Sequence, residues 1–106
     1  MEKFEIEYLE KGEQKKYYVE VVRDEKEIEE IREIVRKMLE LGLYEYKTKK
    51  YHVFISNFDR WDFVALEKNL NKVVLFDEDL RYVDFFKALD YEENPYSCYF
   101  VVYRTF

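Results

Sequence analysis

Phe4, Ile6 and Tyr8 alternate with Glu5 and Glu7, the period-two pattern of a strand with one buried face. Lys11-Gly12-Glu13 supplies a turn, and Tyr17, Val19 and Val21 resume the alternation. Residues 3–23 therefore read as a β-hairpin in which Gly12 takes the unusual backbone angle. The period then changes. Ile28, Ile31, Val35, Met38 and Leu39 form one helical stripe, broadened by Ile34 and Leu41, while Glu29, Glu33, Arg36, Lys37 and Glu40 fall opposite. Asp24 is a good N-cap, Glu27 completes an Asp-x-x-Glu variant of the capping box, and Gly42 stops the helix where a left-handed residue is favoured. The spacing predicts a helix from about Glu25 to Leu41, with Glu33 and Lys37 at ion-pair distance.

Tyr44 to Ser56 reads as a second hairpin turning near Thr48-Lys49-Lys50, with Tyr51, Val53 and Ile55 alternating with His52 and Phe54. Ser56 and Asp59 suggest a second helix over about Phe58 to Leu70, whose apolar residues nearly encircle it. Val73-Val74-Leu75-Phe76 is a continuous apolar run, as expected of a strand covered on both faces and central in its sheet. The acidic triplet Asp77-Glu78-Asp79 then introduces a third helix to about Asp90, with Leu80, Val83, Phe86 and Leu89 spaced by three. Asn94-Pro95 breaks the chain, and Tyr99 to Phe106 alternates aromatic and branched residues as a last strand. The fold class implied is α+β: a single domain over residues 1–106 with a mixed β-sheet of about five or six strands and about three helices, in the order ββαββαβαβ. The last strand–helix–strand is expected to form a βαβ crossover, right-handed if its strands share a sheet.

Composition sharpens this picture. Eleven Tyr and nine Phe stand among 40% charged residues, with two Gly and one Pro, so an aromatic core inside a charged shell is expected and little chain is left for flexible loops. Glu and Lys dominate the polar residues and thermolabile side chains are scarce, the balance expected of proteins that work hot. In composition the chain resembles small proteins of hyperthermophilic archaea and their viruses. A net charge of −6 argues against non-specific nucleic-acid binding. The local exception is Lys47, Lys49 and Lys50 beside Tyr44, Tyr46 and Tyr51, which would suit single-strand stacking if the rings were exposed; the favoured reading is a polar turn whose lysines keep an edge soluble. No run approaches the roughly 18 apolar residues of a spanning helix, the N-terminus reads as strand rather than signal peptide, and the single Cys98 suits a reducing compartment. A cytoplasmic protein with no membrane partner is expected.

Candidate chemistry is thin. Asp77 and Asp79 follow an apolar strand, where carboxylates can converge on a divalent cation. Strand followed by Asp-x-Asp resembles the opening of haloacid-dehalogenase-like phosphatases, but Arg81 stands where that motif carries a hydroxyl residue and the chain is too short for that fold. The favoured role of these acids is to cap the third helix. Glu45-Tyr46-Lys47 with the earlier Asp24 fits the acid and Glu-x-Lys pattern of a large nuclease superfamily, a tripeptide nearly expected by chance in so charged a chain. One histidine, His52, leaves no two-imidazole metal site, and no Gly-rich phosphate loop or nucleophile elbow is present. No cofactor is expected.

The expectation that remains is a non-enzymatic accessory or regulatory protein that binds another protein, or itself as a homodimer. The interaction residues expected are Tyr99 and Tyr103, should the C-terminal strand lie at an edge, and Glu29, Glu33 and Glu40 on the first helix. A variant is an acidic inhibitor that imitates nucleic acid. The alternative is a small metal-dependent hydrolase or nuclease using Asp77 and Asp79.

Overall fold

A computed structural model describes residues 2–57, 71–90 and 98–106. The first hairpin pairs β1 (Glu2–Glu10) with β2 (Glu13–Val21) along its whole length, from Glu2 opposite Val21 to Glu10 opposite Glu13. Its two-residue turn needs positive φ twice, supplied by Lys11 at 51° and Gly12 at 81°. Helix α1 (Glu25–Leu41) starts where Asp24 accepts the N–H of Glu27 at 2.9 Å and stops at Gly42, φ 67°. The Glu27 carboxylate does not close a capping box; it reaches across to Lys72 Nζ at 2.8 Å.

The remaining strands are β3 (Glu45–Lys47), β4 (Tyr51–Asn57), β5 (Asn71–Phe76), the two-residue β6 (Tyr82–Val83) and β7 (Tyr99–Thr105). They form one mixed sheet in the order β1-β2-β5-β7-β4-β3, with β6 paired to β5. Only β2 and β5 run parallel; every other pair is antiparallel. β5 is interior, as its apolar run requires.

Three expectations are corrected. The βαβ crossover is not formed, because β5 and β7 are antiparallel neighbours, Val73 lying opposite Val102. The third helix does not begin at the acidic triplet. Asp77 Oδ1 instead accepts the N–H groups of Asp79 and Arg81, both at 2.9 Å, closing a turn in which Leu80 takes φ 61°. The chain then adds β6 before the short helix α2 (Phe85–Asp90) starts at Asp84, whose Oδ1 accepts from Phe86 and Lys87 at 3.1 Å. Two helices are found among the described residues, against about three expected for the whole chain. The expected helix at 58–70 and the Asn94-Pro95 break lie outside the described residues.

Alternation along the central strands gives the sheet two apolar faces. On one, Ile28, Ile31, Val35 and Met38 of α1 pack on Val53, Val74, Phe76, Val101 and Tyr103. On the other, Phe85 and Ala88 of α2 pack with Val19, Val73, Leu75, Phe100 and Val102, and Cys98 is buried there. Burial pushes the Cys98 thiol up, with the Asp77 carboxylate adding to it, so it serves as a small core side chain.

Candidate functional site

The end of α1 turns the chain outward. Gly42 donates to Leu39 O, and Leu43 N–H reaches Met38 O at 2.8 Å, a closure that satisfies the last carbonyls and stops the apolar stripe in mid-turn. Leu39 (39%), Leu41 (58%), Leu43 (38%) and Tyr44 (79%) are left exposed, four of the six exposed large hydrophobic residues found among the described residues. Both Leu39 and Leu41 depart from the expected buried stripe. β3 follows at once and forms one end of the sheet, and among the described residues it pairs only with β4. Tyr46 packs against the α1-side core with Lys37 Nζ 5.3 Å from its ring centroid. That contact raises the Lys37 ammonium, and it replaces the expected pair of Lys37 with Glu33, which goes to Arg36 instead.

On the opposite face of β3 and β4, His52 is buried between an acid and a base. Its Nε2 lies 2.6 Å from Glu45 Oε1 and its Nδ1 3.0 Å from Arg104 Nη2. A guanidinium can only donate, so Nδ1 accepts and the ring proton is on Nε2, donated to Glu45. Phe54 and Phe106 lie beside the imidazole at 4.4 and 6.3 Å. Both ring nitrogens are occupied, which suits holding β3, β4 and β7 in register rather than moving protons.

A third polar group lines an open cleft of about 280 Å³ at the first turns of α1, between Asp24, Lys26, Glu27, Glu30, Lys50, Tyr51, Lys72 and Thr105. Lys50 Nζ meets Glu30 at 3.1 Å, and the Tyr51 hydroxyl donates to the same Glu30 oxygen. These two bonds, the hydroxyl first, hold the Glu30 carboxyl below its usual range. The cleft's three acids and three lysines compensate one another, and its inner members are spent on mutual pairs that tie α1 to the sheet. Tyr103 stands edge-on to Tyr51 at 5.6 Å between ring centroids, fully buried, its hydroxyl without a hydrogen bond of good geometry among the described residues. Burial, then the Glu27 carboxylate, push that hydroxyl far above the ordinary tyrosine range.

The structure distributes the expected interaction residues unevenly. β7 lies between β5 and β4, so it offers no edge. Tyr103 has no exposed surface and Tyr99 is half-buried against the α1-side core. Glu29, Glu33 and Glu40 are exposed on α1, the first two paired with Arg32 and Arg36. Asp77 is engaged by its own turn, while Asp79 is exposed. Asp24 caps α1 and Glu45 holds His52, so Asp24, Glu45 and Lys47 do not converge. Of the lysine-rich turn, Lys47, Lys49, Lys50 and Tyr44 are exposed, but Tyr46 is half-buried and Tyr51 buried, which dismantles the stacking platform. The exposed apolar segment itself was not anticipated. Its signal is Leu41-Gly42-Leu43-Tyr44: three large apolar residues around a helix stop, with no turn of helix left to bury them.

Among the described residues, no three His, Cys, Asp or Glu side chains are grouped to hold a metal ion, and no helix is long and apolar enough to cross a membrane. Comparison with family models, with curated proteins and with solved structures finds no match to this chain.

Proposed function

We propose that this protein acts by binding another protein chain through the surface formed by the end of α1, the Leu39–Tyr44 segment and the edge of β3 that faces away from β4. The observation that carries the reading is the clustering of Leu39, Leu41, Leu43 and Tyr44 in six residues, all exposed and adjoining a sheet edge. Large apolar side chains are costly to leave in water, and several of them close together in the chain of a small domain mark a contact surface. Glu40 and Lys47 give it the charged rim that separates specific docking from simple adhesion. Of the interaction residues expected from the sequence, Glu40 falls within this surface. Glu29 and Glu33 are accompanied by arginines, so α1 presents alternating charge rather than the uniform acidic face a nucleic-acid mimic needs.

A photoreactive phenylalanine analogue in place of Tyr44 tests this reading in the cell that makes the protein. Irradiation is expected to give a discrete covalent adduct that is lost when Leu41→Asp is added. Labelling from position 44 that is no more discrete than labelling from the exposed turn residue Lys11 would overturn it.

A further inference from the structure

The backbone of β3 identifies an occupant for this edge. Tyr44 C=O accepts from Ile55 N–H at 3.0 Å, and Thr48 N–H donates to Tyr51 C=O at 2.8 Å. In an antiparallel pair alternate residues face the neighbouring strand, so Tyr44, Tyr46 and Thr48 bond to β4 while Glu45 and Lys47 aim their N–H and C=O groups out of the sheet.

We infer that this edge is completed by a second copy of the same chain, β3 pairing antiparallel with β3 about a two-fold axis through Tyr46. The inference rests on the binding role proposed above and names the partner. Centred on Tyr46, the outward-facing residues pair with each other: Glu45 meets Lys47 of the second copy, and Lys47 meets its Glu45, each pair exchanging two backbone hydrogen bonds. Both side-chain pairs carry opposite charge and lie on one face. The other Glu45 oxygen remains available, since only Oε1 is held by His52 and the side chain is 60% exposed. On the other face Tyr46 meets Tyr46 at the axis, and the flanking Tyr44 comes opposite Thr48.

Neighbouring registers are rejected by charge. Centring the axis on Glu45 or on Lys47 sets that residue against its own copy. The contact is isologous and closes at two subunits, giving one sheet continuous through the dimer.

Sedimentation velocity on the purified full chain, with circular dichroism as the check on folding, tests the inference. The wild type is expected to dimerise at high micromolar concentration. Lys47→Glu sets carboxylate against carboxylate twice while leaving Glu45 on His52, and should weaken self-association about ten-fold or more. The double variant Glu45→Lys/Lys47→Glu restores opposite charges at both positions and should restore the dimer. A wild type that stays monomeric, a folded Lys47→Glu chain that dimerises as well as wild type, or a folded double variant that stays monomeric would each overturn the inference. If the double variant does not fold, Lys47→Pro, which deletes one outward N–H, takes its place: dimerisation at wild-type strength overturns the inference and its loss supports it. A monomeric wild type whose position 44 still captures a different protein defeats this inference alone; absence of any specific adduct defeats the binding role itself.

Discussion

Tyr103 shows what an aromatic side chain does once its strand lies inside the sheet rather than at an edge. It lies on an interior strand, packs edge-on against Tyr51, and carries a hydroxyl that makes no hydrogen bond of good geometry among the described residues, with the Glu27 carboxylate its nearest charged neighbour in effect. An unmet buried hydroxyl costs about 1–3 kcal/mol, while the ring contributes dispersion and area. Tyr103→Phe should therefore leave stability at pH 7 within about 1 kcal/mol of wild type, or raise it. The alkaline limb should also change. The folded-state hydroxyl is raised well above its unfolded value, so its contribution is intact below the ordinary tyrosine range and is lost as pH climbs above about 10, by up to about 1.4 kcal/mol per pH unit. Urea denaturation across that range should show a shallower loss for Tyr103→Phe. A loss above about 2 kcal/mol at pH 7 would mean that the hydroxyl has a strong partner after all.

At the scale of elements, α1 could be read from sequence almost to the residue, because every signal that defines it is local: Asp24 as cap, an apolar stripe, Gly42 as stop. Residues 77–90 were misread for an equally local reason. Leu80, Val83 and Phe86 have helical spacing, but Asp77 and Asp84 compete as caps, and the first is claimed by a turn with Leu80 at positive φ. Asp84 wins because two amides and the Arg23 guanidinium, at 2.7 Å, converge on it. Arg23 chiefly holds its carboxyl below the usual aspartate range. A depressed folded value means stabilisation that is present above the unfolded aspartate range and fades as pH falls through the lowered one. Asp84→Ala should cost about 1 kcal/mol at pH 7, in the range of lost N-caps, and the gap from wild type should close in strong acid. A gap that stays constant with acidification in thermal melts would count against the ionised cap.

Strand order belongs to the whole molecule, and there the sequence is silent. The apolar run at β5 announces an interior strand, but nothing local distinguishes a parallel from an antiparallel return of β7, since both bury the same alternating aromatics. For that reason the Leu39–Tyr44 surface had only a local signal, large apolar residues around a helix stop: that it adjoins an edge follows from β3 taking the end of the sheet, and β7's lack of an edge from its place between β5 and β4. The same order fixes how protection should be distributed. Val74, Leu75, Val101 and Val102 sit on the two central strands, β5 and β7, with almost no exposure, so their amides should exchange only through global unfolding. The β3 amides should divide by residue parity. Tyr46 is bonded to β4 in every state, whereas Glu45 and Lys47 point their N–H groups away from β4 in the monomer and into hydrogen bonds in the β3–β3 dimer. Hydrogen exchange followed by NMR should therefore show protection at Glu45 and Lys47 rising with protein concentration, with Tyr46 unchanged. Protection at these two residues that does not depend on concentration would place the contact surface elsewhere, because no rearrangement within one chain couples alternate amides of a single strand to the number of copies present.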